Sequence, residues 1–243
     1  MSRREIRLPI AGSEETYAVS PSKIVALGLN YRDHIAESES VRVSGLTPDE
    51  PSEPVLFPKL PSCLIGPDES IELPAIVATY SFDEPRTDHE AELALVIGRE
   101  CRSVDPEHAL EYVFGYTCMN DVSQRNIQNG DRSGWFRGKS FDTFGPIGPR
   151  IVRSQDIGDV QNLDIVCRKN GVVVQSSNTR HMIFPVDFTI SFISRNFTLL
   201  PGDIILTGTP AGVGPIVEGD TVEVEIARIG VLRNPVKNAP SQS

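Results

Sequence analysis

Two glutamates one residue apart, Glu90 and Glu92, open the most apolar strand-like run of the chain, Glu-Leu-Ala-Leu-Val-Ile from 92 to 97. A third carboxylate, Asp121, follows another apolar run. Alternate residues of a β-strand share a face, so Glu90 and Glu92 would aim at one spot. Keeping two like charges ionised at the edge of a core costs on the order of several kcal/mol per ion unless a cation or hydrogen-bond donors compensate. A divalent metal is the simplest compensator. The same spacing also suits the wet face of a half-exposed strand made by Asp88, Glu90 and Glu92, and spacing alone leaves both readings open. His34 and Glu37 form a second candidate pair. At i and i+3 on one helical turn, the glutamate can orient the imidazole and stabilise its protonated form. An ordinary histidine pKa of about 6.5 suits it to take a proton from water near neutral pH. Such His-x-x-Glu pairs are also common as purely structural features.

The elements that must position these groups are short. Lys23–Leu29 reads as a strand leading into the polar turn Asn30–Glu37, a single helical turn or a lid. Prolines recur from Pro48 to Pro74, which forbids a long helix and predicts extended segments wrapping the core. Asp105-Pro106-Glu107 reads as an N-cap with proline at the first helical position, predicting a helix to about Tyr112. A strand from there would deliver Asp121 at its end. Asn170-Gly171 between two apolar runs is the strongest hairpin signal, Thr221–Ile226 alternates as a half-buried strand, and a helix is expected from Pro185 to Asn196. The strand Asp203–Leu206 then runs into a glycine-rich loop, 207–214, whose backbone N–H groups could approach a small anion. Three segments are expected: residues 1–22 as a short N-terminal segment, 23–236 as one catalytic domain and 237–243 as a polar tail.

Composition narrows the function classes. The 243 residues, 39% hydrophobic, suffice for one sizeable core. A formal net charge of -10 argues against nucleic acid or an anionic membrane as partner. With neither a signal segment nor a membrane-length apolar run, the expectation is a cytoplasmic protein. Cys63, Cys101, Cys118 and Cys167 are scattered without a Cys-x-x-Cys pair, so reduced thiols are expected rather than a zinc site or disulfide framework. There is no Gly-x-Ser-x-Gly elbow, and His89-Glu90 lacks the second histidine of a zinc-protease helix. The 208–214 loop has neither P-loop nor Gly-x-Gly-x-x-Gly spacing.

Five segments, taken in order, resemble the fumarylacetoacetate hydrolase superfamily across nearly the whole chain. They are Gly28-Leu-Asn-Tyr-Arg-Asp-His34 with Glu37, Glu90-Ala-Glu92-Leu, Asp121 with Arg125 and Gln128, Gly138-Lys139-Ser-Phe-Asp142, and Pro201–Pro210. The chain is similar to the compact single-domain branch that holds acylpyruvate hydrolases, oxaloacetate decarboxylases and 2-hydroxyhepta-2,4-diene-1,7-dioate isomerases. The fold this implies is α+β, a strand-rich mixed β-roll of the family's C-terminal-domain type with a few flanking helices. A homodimer is likewise implied.

The resemblance implies a Mg²⁺ or Mn²⁺ site at Glu90, Glu92 and Asp121, with Ca²⁺ as a possible substitute. Three oxygen ligands without a thiolate agree with a hard cation. It also implies that Lys139 holds substrate oxygens and balances charge, that Arg125 and Gln128 orient a substrate carboxylate, and that Thr209 donates to substrate. His34 and Glu37 become the catalytic acid–base pair of a lid, whereas His89, between the ligands on the opposite face, is expected to pack. The implied substrate is a small anionic 2-oxo acid. The expected reaction is metal-dependent cleavage of a C–C bond in a 2,4-dioxo or 2-oxo dicarboxylic acid, by acylpyruvate hydrolysis or oxaloacetate-type decarboxylation through an enolate. The alternatives are an isomerase or tautomerase acting on a 2-hydroxy-dienedioate or oxaloacetate, and a non-catalytic dicarboxylate-binding protein. Loops 38–53 and 129–137 read as specificity loops whose residues carry no pattern that gives a pocket shape, and 129–137 is expected to line or border the site.

Overall fold

The computed structural model describes residues 5–37, 50–131 and 135–240. The expected specificity loops therefore fall partly outside the described residues, at 38–49 and 132–134. The fold is the strand-rich α+β arrangement read from the sequence. A seven-stranded sheet runs Val55–Lys59, Ile24–Gly28, Ile204–Leu206, Ala91–Ile97, Val113–Asn120, Gly145–Arg153, Leu64–Ile65. A five-stranded sheet packs on it in the order Val172–Asn178, Asp164–Lys169, Thr221–Ile226, Gly230–Asn238, Ile71–Leu73. Most pairings are antiparallel. The parallel ones join Ile204–Leu206 to Ile24–Gly28, Gly145 to Leu64, and Val236 to Ile71.

Ala91–Ile97 is central because its sequence leaves no face for water. Leu93, Leu95 and Ile97 enter the core between the two large sheets, and Ala94 and Val96 enter a second core on the other face. That second core is closed by the hairpin of Ile6–Pro9 with Thr16–Val19, whose Leu8 is fully buried. This hairpin, within the short N-terminal segment 1–22, thus covers the sheet. At the other end, the strand Gly230–Asn238 carries Lys237 into pairing with Glu72, so sheet structure continues past the expected start of the tail.

The local signals act mostly as their chemistry dictates. Asn170 and Gly171 both take positive φ, 54° and 77°, the backbone a type I′ hairpin turn requires. Pro106–Ala109 is helical and continues as a 3₁₀ turn through Tyr112 into Val113–Asn120. Asp105 holds the N-cap backbone position without a capping hydrogen bond, because its carboxylate faces Arg195, 3.2 Å away. The helix Val186–Asn196 follows Pro185 and buries Val186, Ile190 and Ile193 in the main core. All four cysteines are buried and unpaired with one another. Among the described residues no helix is long and apolar enough to cross a membrane.

Candidate active site

Register between neighbouring strands assembles the carboxylates. Ala91 pairs with Asn120 and Glu92 with Met119, so Glu90 and Asp121 meet where the two strands leave the sheet. The Asp121 N–H donates to the Glu90 carbonyl at 2.8 Å, and the Glu90 N–H donates to the Asn120 side chain at 2.9 Å. Glu90, Glu92 and Asp121 are 4%, 1% and 0% exposed, and each offers an oxygen within 4.8 Å of the others. Asp88 is also fully buried, which removes the wet-face reading of this strand.

Cations converge on the cluster from three other segments. Lys139, ending the short helix Phe136–Lys139, bridges Glu90 Oε2 at 2.6 Å and Asp121 Oδ2 at 2.7 Å. This approach depends on Gly138, where a Cβ would stand 2.6 Å from the Gln128 Cβ and 2.7 Å from its backbone nitrogen. Lys59, at the end of Val55–Lys59, donates to Asp121 Oδ1 at 2.5 Å and to the Lys139 carbonyl. Arg125, opening the helix Arg125–Gly130, spreads its guanidinium over Asp88 at 2.7 Å, Gln128 Oε1 at 2.9 Å and Glu90 Oε1.

Among the described residues Glu92 makes no ion pair, and its Oε2 accepts the Gly208 N–H at 2.8 Å. The electrostatics follow from this asymmetry. Burial pushes the Glu90 carboxyl up, but Lys139 and Arg125 outweigh burial and hold it well below the usual carboxylate range. Burial, then the charges of Asp121 and Glu90, push Glu92 well above that range. Glu92 is therefore a buried oxygen donor held toward its neutral form, and a bound cation would favour its ionised, ligating form. A carboxylate presents about four lone-pair directions, so Glu90 and Asp121 can keep their lysine contacts and still ligate. The three side chains fit a hard divalent cation, and three protein oxygens leave positions of its usual six or more for water or substrate.

The lid pair faces the same cleft. His34 and Glu37 lie on the single helical stretch Arg32–Glu37, with Nδ1 and Oε1 3.3 Å apart. Glu37 Oε1 also accepts the N–H groups of Gly212, at 2.8 Å, and Val213, at 3.3 Å. Burial raises its pKa, but the contacts with His34, Gly212 and Val213 leave it below 4.5. The glycine-rich loop does offer N–H groups to anions, as its sequence indicates. The anions it holds are the chain's own Glu92 and Glu37. The cleft is lined by His34, Glu90, Glu92, Arg125, Gln128, Lys139 and Thr209 on its polar side. Phe57 and Trp135, edge to face with ring centroids 5.4 Å apart, form its apolar wall.

Every candidate residue from the sequence is thus in or beside one cleft. Arg125 has a different surrounding from the one expected, because its guanidinium is already engaged by two carboxylates and Gln128. His89 packs, 1% exposed, with Nδ1 3.2 Å from Gln175 Oε1. Sequence reasoning missed Lys59, Asp88 and Gln175. Lys59 carried one signal, a lysine closing the strand Val-Leu-Phe-Pro-Lys at an inward position. Nothing local marks Gln175.

Comparison with known proteins agrees over most of the chain. Residues 23–237 match the family described as fumarylacetoacetate (FAA) hydrolase C-terminal. The mitochondrial oxaloacetate tautomerase Fahd2a of Rattus norvegicus is 42% identical over 89% of this chain and 66% of its own length. The 2-hydroxyhepta-2,4-diene-1,7-dioate isomerase of Mycobacterium marinum superposes with a TM-score of 0.77 at 39% identity, over 95% of this chain and 83% of that one. The maleylpyruvate hydrolase of Sphingobium sp. SYK-6, solved with manganese(II) ion and pyruvate, gives 0.75 at 33% identity over 93% and 75%. Sequence and fold together establish that this chain belongs to the fumarylacetoacetate hydrolase family, whose named members here are enzymes.

Proposed function

We propose that the protein cleaves a C–C bond in a small 2,4-dioxo or 2-oxo dicarboxylic acid, by acylpyruvate hydrolysis or oxaloacetate-type decarboxylation, with Mg²⁺ or Mn²⁺ held by Glu90, Glu92 and Asp121. The observation that carries this reading is one cleft lined at once by two of the three clustered carboxylates, Lys139, His34 and Thr209. The bound cation would supply Lewis-acid polarisation of a 2-oxo group. Lys139, fixed between Glu90 and Asp121, presents an ammonium to substrate oxygens and offsets their charge. His34 has Nδ1 turned to Glu37, which leaves Nε2 to take a proton from water for attack on the distal carbonyl. Glu37 stabilises the imidazolium that results. Arg125 acts on substrate through Gln128, whose Oε1 it occupies, so that the Gln128 NH₂ is the group turned to a substrate carboxylate. Phe57 and Trp135 keep water off one side of the cleft.

A second reading is favoured by the 42% identical oxaloacetate tautomerase and the 39% identical isomerase. The same groups could return a proton to a different carbon and leave the C–C bond intact. Incubating Mn²⁺-loaded protein with acetylpyruvate and with oxaloacetate, while following enol absorbance and pyruvate, separates the two. Pyruvate released from either substrate supports cleavage. Enol decay of oxaloacetate without pyruvate supports tautomerisation, and no change with either substrate contradicts both.

A further inference from the structure

Gln175 lies in the strand Val172–Asn178 of the five-stranded sheet, 1% exposed and opposite Cys167 in register. Its side chain reaches across to the wall of the cleft. Nε2 donates to the Thr209 hydroxyl oxygen and to the Pro210 carbonyl, both at 2.8 Å. Oε1 accepts the Ala91 N–H at 3.0 Å and lies 3.2 Å from His89 Nδ1. The backbone contacts fix which way the amide faces, because a peptide N–H can only donate and a peptide carbonyl can only accept. Gln175 is therefore a donor to Thr209. Gly212 lets the loop lie close against this strand, since a Cβ there would stand 2.0 Å from the Val174 carbonyl oxygen.

We propose that Gln175 is a positioning residue that sets the polarity of the Thr209 hydroxyl. With its oxygen accepting from Gln175, the single hydroxyl hydrogen is left to point elsewhere. Among the described residues no acceptor is recorded for it, and Thr209 lines the cleft. Gln175 occupies one of the two lone pairs of the Thr209 oxygen and leaves the hydrogen for the site. A hydroxyl so biased toward donating favours a substrate oxygen that only accepts, such as a 2-oxo oxygen, over a hydroxyl whose own hydrogen also needs an acceptor. This rests on the reading that the cleft takes a 2-oxo acid. It adds to that reading a discrimination of 2-oxo from 2-hydroxy acids, set by a residue outside the cleft lining.

The test uses pyruvate and lactate, with dissociation constants measured calorimetrically on the Mn²⁺-loaded protein. The wild type is expected to prefer pyruvate. Gln175→Leu frees the Thr209 hydroxyl to rotate, and the pyruvate-to-lactate preference should narrow by roughly two- to tenfold, the scale of one hydrogen bond between neutral groups. Thr209→Val should narrow it equally, the double variant no further than either single one, and Thr209→Ser should restore it. A purely structural role for Gln175 would lower the melting temperature and leave the preference unchanged, which overturns the inference. Should Gln175→Leu fail to fold, Thr209→Val decides alone, and an unchanged preference there refutes the inference. A wild type that binds neither acid removes the 2-oxo acid reading itself, and the inference with it.

Discussion

Glu92→Gln separates what the carboxylate cluster does for folding from what it does for metal binding. In the metal-free protein Glu92 is a buried carboxyl with no ion pair among the described residues, and burial, Asp121 and Glu90 push its pKa up against the opposing pull of Lys139. A group whose folded pKa is raised above its unfolded value of 4.5 destabilises the fold as pH rises through that interval, because the folded state holds the proton more tightly. Glutamine keeps the shape and can still accept the Gly208 N–H, but it carries no charge. The metal-free variant should therefore be at least as stable as the wild type at pH 8, an unusual result for a buried polar substitution. Metal reverses the order. At Mn²⁺ of 100 times Kd the wild type gains about 2.7 kcal/mol, or roughly 5–11 °C in Tm for a chain of this size. The variant, with one of three ligand carboxylates replaced, should gain little. The assay is thermal unfolding of both proteins, chelated and then Mn²⁺-loaded. A variant that keeps the full Mn²⁺-dependent gain, or loses several kcal/mol when chelated, would refute the reasoning.

Lys59→Met strips a donor from Asp121 and from the Lys139 carbonyl, and breaking a buried pair this way should cost about 3–5 kcal/mol in denaturant unfolding. A loss under about 1 kcal/mol would count against that pairing. Because Glu37 has its pKa lowered, its hold on the loop is complete above 4.5 and is lost as pH falls through the lower folded value. The amide shifts of Gly212 and Val213 should therefore titrate together below pH 4.5, and a midpoint at or above 4.5 would contradict this. At Gly28, an added Cβ would lie 2.4 Å from the Trp135 ring. Gly28→Ala should displace that ring at about 1–3 kcal/mol and shift the fluorescence of the chain's one tryptophan. An unchanged spectrum would show that the cleft wall can give.

The parts of the site that were legible in sequence are those fixed by local geometry. Glu90 and Glu92 share a face by strand alternation, His34 reaches Glu37 within one turn, and Asn170-Gly171 requires positive φ. What stayed hidden depends on register between distant strands. Lys59 finds Asp121 62 positions away, and Gln175 finds Ala91 84 positions away. No periodicity within either segment encodes such a meeting. Arg125 shows the same limit from the other side. Its spacing to Gln128 placed it on the site, but only the burial of Asp88 and Glu90 reveals that its guanidinium is already engaged. The continuation of the last strand through Asn238 was hidden for a similar reason, since Lys237 and Asn238 meet Glu72 and Leu73 from far along the chain.

Under the proposed function, Glu90, Glu92 and Asp121 hold the cation on which turnover depends. The most direct measurement is turnover by metal-stripped protein, followed as enol absorbance and pyruvate for both acetylpyruvate and oxaloacetate, before and after adding back Mn²⁺ or Mg²⁺. No turnover of either substrate above the protein-free rate at the same metal concentration is expected until the cation is returned, and none in Glu92→Gln. Full turnover by the stripped protein, or by Glu92→Gln, would contradict it.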